Sequence, residues 1–142
     1  MTALLETPLE PMDTFAALET PDARLSEMLA GVARAFPDIQ AIVLGDRSGL
    51  PIASTFRGPA TLRTTAMATL ALGAASKVTE SLDLPSPEGI LIEAGPWTVL
   101  VSSLGDGFTL AAVIPSGASA ARLKAEMRTL GRDLRSAIDR IL

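Results

Sequence analysis

Two carboxylates in the turns of this 142-residue chain are its first candidates for chemistry. Asp46 and Asp106 are the kind of pair that general acid–base catalysis uses. Each follows a glycine in a short turn motif, in Gly45–Gly49 and in Gly105–Gly107. Aspartate in such turns commonly bonds to nearby backbone N–H groups. We therefore predict that both carboxylates stabilise turns, and we predict no catalytic residue.

The composition removes several further classes of site. The chain contains no Cys, His or Tyr, which excludes disulfides, thiolate nucleophiles, His-based triads and Cys/His zinc sites. The Gly45–Gly49 turn is not expected to hold a phosphate, because no helix follows it to present an N-terminus. The G-x-x-x-x-G-K-[ST] loop of P-loop GTPases is also missing from the sequence. We expect no cofactor and no metal ion.

Charge and hydropathy limit the partners of the chain. A formal net charge of −4 argues against nucleic acid as the main partner. No apolar run reaches the ~18 residues that a spanning helix needs. The first 22 residues lack the basic group of a secretory signal. We expect a cytoplasmic protein with no membrane insertion.

Acidic residues are concentrated at the N-terminus. Residues 1–22 contain five of the 16 acids, three prolines and no base, whereas the remaining 11 acids and 12 bases nearly balance. We predict a flexible acidic arm over residues 1–21 and one folded domain over residues 22–142. The arm is either a solubilising tail or a docking strip for a basic surface. The anchors of such a strip would be Leu4, Leu5, Met12, Phe15 and Leu18.

Hydrophobic periodicity predicts eight elements in the order α-β-β-α-β-β-β-α. Helices are expected from about residue 22 to Phe36, over 62–82 with Thr61 as the N-cap, and from Ser119 to Ile141. Strands are expected over 39–44, 50–55, 90–94, 97–104 and 108–114. All of these strands except 50–55 are apolar at most positions, which predicts that both sheet faces are covered. The fold class is therefore α+β, a three-layer α/β/α sandwich on a five-stranded antiparallel sheet. Pro51 places its strand at a sheet edge.

The helix over 62–82 lacks the polar face of an ordinary surface helix. It has no charged residue between Thr64 and Ser76. We expect one of its faces to contact the sheet through Met67, Leu70, Ala74 and Val78. The opposite face would then be small and uncharged, with Ala66, Ala68, Ala71, Leu72, Gly73 and Ala75. We infer that the helix is buried twice, against its own sheet and against a second copy; the alternative is an alanine-rich, partly exposed helix.

The strand over 90–94 supports the same inference. It begins the three-stranded meander and carries only Glu93 to discourage pairing, so it would be an unprotected edge. A two-fold axis beside this edge would pair the strand with its copy and bring the two long helices together. The predicted homodimer interface contains Ala66, Leu70, Ala71, Gly73, Ala74, Val78, Leu91 and Glu93.

The order and spacing of these segments resemble the Roadblock domain (the dynein-light-chain Roadblock type), which includes the bacterial MglB-like GTPase regulators. The resemblance covers about residues 24–142 and depends mainly on the turn and strand over 46–54, the alanine-rich helix and the Gly105–Gly107 turn. It implies a homodimer with a continuous sheet that regulates a small Ras-like GTPase by binding, without being an enzyme. The alternative is an assembly scaffold that has no effect on nucleotide hydrolysis.

A regulator of this kind can present an arginine to its partner. Arg47, Arg57 and Arg63 are the candidates for such contacts, and the alternative is that they are solvated. The final helix has six basic and three acidic side chains from Arg122 to Arg140. This excess of positive charge is either a solvated face or a docking surface for an acidic partner or for the acidic arm.

Overall fold

The computed structural model describes residues 21–56, 59–117 and 120–141. Three helices and five strands follow one another in the predicted order. They are α1 (Pro21–Ala35), β1 (Ala41–Gly45), β2 (Pro51–Ser54), α2 (Pro59–Ser81), β3 (Gly89–Ala94), β4 (Trp97–Gly105), β5 (Phe108–Pro115) and α3 (Ala120–Ile141). The predicted arm lies outside the described residues except for Pro21, which begins α1, and so does Ser119, the predicted N-cap of α3.

The five strands form one antiparallel sheet in the order β2-β1-β5-β4-β3. This order confirms the predicted edge position of β2, whose Pro51 lies opposite Gly45. The opposite edge is β3, as predicted. The central strands β1 and β5 are buried along nearly their whole length, because helices cover both of their faces.

The larger core lies between the sheet and the helices α1 and α3. Ile42 and Leu44 of β1 point into this layer and contact apolar residues of the two helices. Leu25 and Leu29 of α1 are fully buried in this layer. The residues that α3 buries here follow spacings of three and four: Leu123, Met127, Leu130, Leu134 and Ile138.

Among the elements that the structure describes, α2 alone covers the opposite face of the sheet. Ala41 and Val43 of β1 point to this side and pack with Phe56, Ala68 and Leu72. The alternation along β1 therefore places an apolar core on each side of the sheet. This arrangement is the predicted three-layer α/β/α sandwich.

Two predictions about these elements are wrong. α2 begins at Pro59, not after Thr61, because a proline without an N–H suits the first turn of a helix. The Thr61 hydroxyl donates to the Phe56 carbonyl (3.2 Å) and does not cap the helix. The second error concerns β3, which was expected to be covered on both faces but exposes Leu91 and Ile92. It is exposed because it is the last strand of the sheet.

None of the helices in the described part of the chain has the length and apolar character needed to cross a bilayer.

Candidate interaction surface

The outer face of α2 is an exposed apolar surface. Met67, Leu70 and Val78 are 61%, 64% and 58% exposed. These residues and Ala74 were predicted to contact the sheet, and that orientation is wrong. Ala68 and Leu72, which were expected on the outer side, are instead buried at 6% and 8% exposure. The outer side of α2 nevertheless lacks an ordinary polar face, as expected, because the large apolar residues Met67, Leu70 and Val78 lie there instead of the small ones.

Close approach of α2 to the sheet explains the reversed orientation. Thr65 is 1% exposed, and its methyl group lies where a Cβ on Gly45 of β1 would be. A side chain as large as Met67 or Leu70 would not fit in this gap. The small residues therefore face the sheet, and the large ones point away from it.

The hydroxyl groups of Thr65 and Thr69 are bonded within α2. The hydroxyl of Thr65 donates to the Thr61 carbonyl (2.7 Å), and that of Thr69 donates to the Thr65 carbonyl (3.0 Å). These bonds to the preceding helical turn satisfy the hydroxyls locally. The apolar character of the outer face is therefore not interrupted by them.

Gly73 is exposed, and a Cβ built on it would meet nothing within 4 Å. A glycine inside a helix lowers stability by about 0.5–1 kcal/mol relative to alanine. No contact within the described chain accounts for this cost. The position of Gly73 on the outer side of α2 leaves room for the close approach of another backbone.

The edge strand β3 extends this surface. Its outer side has no neighbouring strand in the sheet, and Ile92, on the α2 side, is 41% exposed. Leu91 is 51% exposed but points to the opposite side of the sheet, like Leu100. Leu82 and Leu84, between α2 and β3, are also more than half exposed. Exposed apolar side chains on a helix and at the neighbouring sheet edge are typical of a protein–protein interface.

The predicted interface residues are all accessible in the single chain. Leu70, Gly73, Ala74, Val78, Leu91 and Glu93 are exposed, and Ala66 and Ala71 are half-buried. Sequence reasoning missed Met67 and Leu62, which are also exposed on α2. The missing signal was the rotational orientation of the helix: Met67 was expected to face the sheet, and no orientation was predicted for Leu62.

The candidate arginines occupy different environments. Arg63 is exposed near the start of α2. The Arg47 guanidinium lies 5.4 Å from the centre of the Phe108 ring, so it packs beside β5. Arg57 lies outside the described residues. Gly49, in the same turn as Arg47, lies against Ala66 and Thr69 of α2, which brings this turn next to the helix.

Asp46 has the local role predicted for it. Its Oδ1 accepts hydrogen bonds from the backbone N–H groups of Ser48 (2.8 Å) and Leu50 (3.0 Å). Gly49 completes the turn with a φ of +84°. The Asp46 carboxylate therefore accepts its hydrogen bonds within its own turn.

Asp106 also lies in a turn, with a φ of +53°, but its carboxylate has a second partner. Arg135 of α3 donates to Asp106 Oδ2 (2.9 Å) and also pairs with Asp139 (3.2 Å). This contact was not predicted, because 29 residues separate the two side chains. Asp46 and Asp106 thus have separate structural roles, and within the described residues no acidic cluster has the geometry of a metal site.

A family model decides the relationship of the chain to known proteins. The model of the Roadblock/LC7 domain matches residues 24–114, which is more than half of the chain. The chain belongs to the Roadblock/LC7 family. The part of this Roadblock protein that the family model matches extends from α1 to the end of β5, and α3 follows it. No curated protein matches the sequence significantly.

Solved structures share the Roadblock fold at low sequence identity. A Roadblock/LC7 domain from Streptomyces avermitilis is 22% identical, with a TM-score of 0.75 over 80% of this chain and 96% of that one. Myxococcus xanthus MglB is 11% identical, with a TM-score of 0.74 over 87% and 94%. A structure described as MglB with tetrameric arrangement is 16% identical, with a TM-score of 0.77 over 87% and 93%. These similarities confirm the fold, which the chain shares with these structures.

Proposed function

We propose that this Roadblock protein is a homodimeric, non-enzymatic regulator of a small Ras-like GTPase. The resemblance to MglB-like regulators implies this class of partner. The observation that carries the proposal is the stretch of the outer face of α2 between Arg63 and Lys77, which carries no charge and exposes Met67 and Leu70 beside Gly73. In a soluble chain such a face is stabilised by burial against another protein.

The homodimer would form around a two-fold axis beside β3. Pairing of β3 with its copy would use the free backbone groups of the edge, and the two α2 helices would then lie against each other. Gly73 and Ala74 would let the helices approach closely. The neighbouring β1–β2 turn, with Arg47, and the start of α2, with Arg63, would then border a platform for the GTPase.

The interface is tested by the substitution Ala74→Glu. A carboxylate buried at each copy of the interface without a partner costs several kcal/mol. We expect self-association to weaken by at least ~100-fold in sedimentation equilibrium. The matched control is Ala125→Glu, which introduces the same side chain at an exposed alanine of α3. An unchanged dimer for Ala74→Glu would contradict the proposed interface.

The regulatory role is tested by single-turnover phosphate release from a small Ras-like GTPase of the same organism. We expect the wild-type chain and Ala125→Glu to change the rate, and Ala74→Glu to lose the effect. Tight binding with an unchanged rate would favour the second candidate, an assembly scaffold. One observation favours that candidate: Arg47 packs over Phe108, so its guanidinium is already engaged.

A further inference from the structure

A second surface lies on the opposite side of the sheet from α2. A groove of about 790 Å³ separates α3 from the outer strands β3 and β4. Its floor is apolar and includes Leu91, which lies opposite Leu100 in the strand register, and Leu104. The groove exists because α1 and α3 cover the inner strands and no third helix of the described chain covers β3 on this side.

The wall of the groove formed by α3 is basic. Lys124, Arg128, Arg132 and Arg135 line it at helical spacings of four, four and three residues. Glu88 is the one acidic side chain in the lining. The acidic residues Glu126 and Asp133 of α3 do not line the groove. The excess of positive charge on α3 is therefore concentrated on the side that faces the groove.

Two of the four basic side chains on the groove wall have no acidic partner among the described residues. Arg128 pairs with Glu88 (3.4 Å), and Arg135 pairs with Asp106 and Asp139. Lys124 and Arg132 form no ion pair with any described residue. A groove with an apolar floor and unneutralised positive charge on its wall matches a segment that combines apolar and acidic side chains.

Residues 1–20 have this chemistry. They contain four carboxylates and no Lys or Arg, and apolar residues are interspersed among the acids. The apolar residues include Leu9, Met12, Phe15 and Leu18. A segment of opposite charge on the same chain is present at a high effective concentration, so modest contacts are enough to dock it.

The segment is also long enough to reach the groove. The guanidinium of Arg122, near the start of α3, lies 5.0 Å from the centre of the Phe36 ring, just beyond the end of α1. Ala121 and Lys124, which flank Arg122 in the sequence, line the groove. α1 has 15 residues, which span about 22 Å, so Pro21 lies within roughly 40 Å of this part of the groove. Twenty extended residues cover up to about 66 Å, and 20 residues precede Pro21.

We propose that residues 1–20 dock into the groove between α3 and β3–β4 of their own chain. Their carboxylates pair with Lys124 and Arg132, and their apolar side chains cover Leu91 and Leu104. The docked segment uses the face of β3, whereas the proposed homodimer uses its edge and α2. The two contacts are therefore compatible, and the docking does not depend on the proposed function.

The absence of cysteine from the chain allows a direct test in the full-length protein. The variant Thr14→Cys/Ser136→Cys places one thiol in the segment and one in the groove lining. The matched variant Thr14→Cys/Ser81→Cys places the second thiol at an exposed serine of α2, on the other side of the sheet. We expect disulfide formation under oxidised glutathione to be at least ten-fold faster for the groove pair. Equal rates would overturn the proposal, as would a groove-pair product that is a covalent dimer.

The charge requirement is tested in the same groove pair. Lys124→Glu/Arg132→Glu reverses the two unneutralised charges and is expected to lower the rate to that of the Ser81 pair. Lys77→Glu/Arg34→Glu makes the same change of charge at exposed sites outside the groove, and it should leave the rate unchanged. Raising the salt to 0.5 M should reduce the rate of the groove pair, since exposed charges are screened. A rate that is insensitive to both the charge reversal and salt would overturn the electrostatic basis of docking.

Discussion

Arg135 Nη2 lies 2.9 Å from Asp106 Oδ2 and joins the C-terminal half of α3 to the turn between β4 and β5. The same guanidinium lies 5.0 Å from the centre of the Phe108 ring and contacts Asp139 one turn further along the helix. The side chain of Arg135 is only 23% exposed, so these contacts are partly shielded from water. They hold the end of α3 that borders the groove against the sheet.

Arg135→Ala is expected to lower the free energy of unfolding by about 1–2 kcal/mol, because it removes two ion pairs and a cation–π contact. Asp106→Asn should cost less than about 1 kcal/mol, since its carboxylate is largely exposed and asparagine tolerates a positive φ. Urea unfolding measures both changes. Arg140→Ala, an exposed arginine of α3 that does not line the groove, is the control and should have little effect. Equal effects of Arg140→Ala and Arg135→Ala would contradict the assigned role.

Gly73→Ala is expected to have opposite effects on two properties, raising the stability of the single protomer and weakening its self-association. In the Ala74→Glu background we expect a gain of about 0.5–1 kcal/mol, because alanine favours a helix and a Cβ at this site meets nothing. In the otherwise wild-type chain, the same methyl group should weaken self-association in sedimentation experiments. Gly31→Ala is the control, since that helical glycine of α1 also has room for a Cβ, with the nearest atom 3.8 Å away, and lies on the other side of the sheet from α2. If Gly73→Ala left association intact, the close contact of α2 helices would be wrong.

Gly45→Ala tests why the small side of α2 faces the sheet. The new methyl group would overlap the methyl of Thr65 and press on the Thr109 hydroxyl, so we expect a loss of about 1–3 kcal/mol. Thr65→Ser removes the overlapping methyl and keeps the hydroxyl that donates to Thr61. Thermal unfolding of the double variant should therefore show partial recovery relative to the two single losses. Strictly additive losses would argue against this contact.

Ser26 and Ser54 are a matched pair of buried hydroxyls, each 5% exposed. The Ser26 hydroxyl has no hydrogen-bond partner among the described residues, whereas that of Ser54 accepts from the Phe56 N–H (2.9 Å). Ser26→Ala should leave stability unchanged or raise it by up to about 1 kcal/mol. Ser54→Ala should lower it by about 1–2 kcal/mol, because a buried N–H loses its partner. Chemical denaturation distinguishes the two, and a larger loss for Ser26→Ala would mean that its hydroxyl is bonded in solution.

Local signals in the sequence were sufficient for the order of the elements and for several of their ends. Hydrophobic periodicity predicted the helix α3, and Pro51 predicted an edge strand. The turn role of Asp46 also followed from its neighbours, since its hydrogen bonds stay within four residues. These features depend on interactions that are close in the chain, and residue types alone report them.

The orientation of α2 required the tertiary structure. Hydrophobicity favours the burial of Met67 and Leu70, but the space above β1 is set by Gly45 and Thr65, which are 20 residues apart. The contact of Arg135 with Asp106 and the basic wall of the groove also depend on how α3 lies across the sheet. The sequence by itself determined the eight elements, the sheet edges and the lack of a polar face on α2. Only the packing of distant segments decided which side of α2 meets the sheet, because that choice depends on the fit of side-chain volumes across the fold.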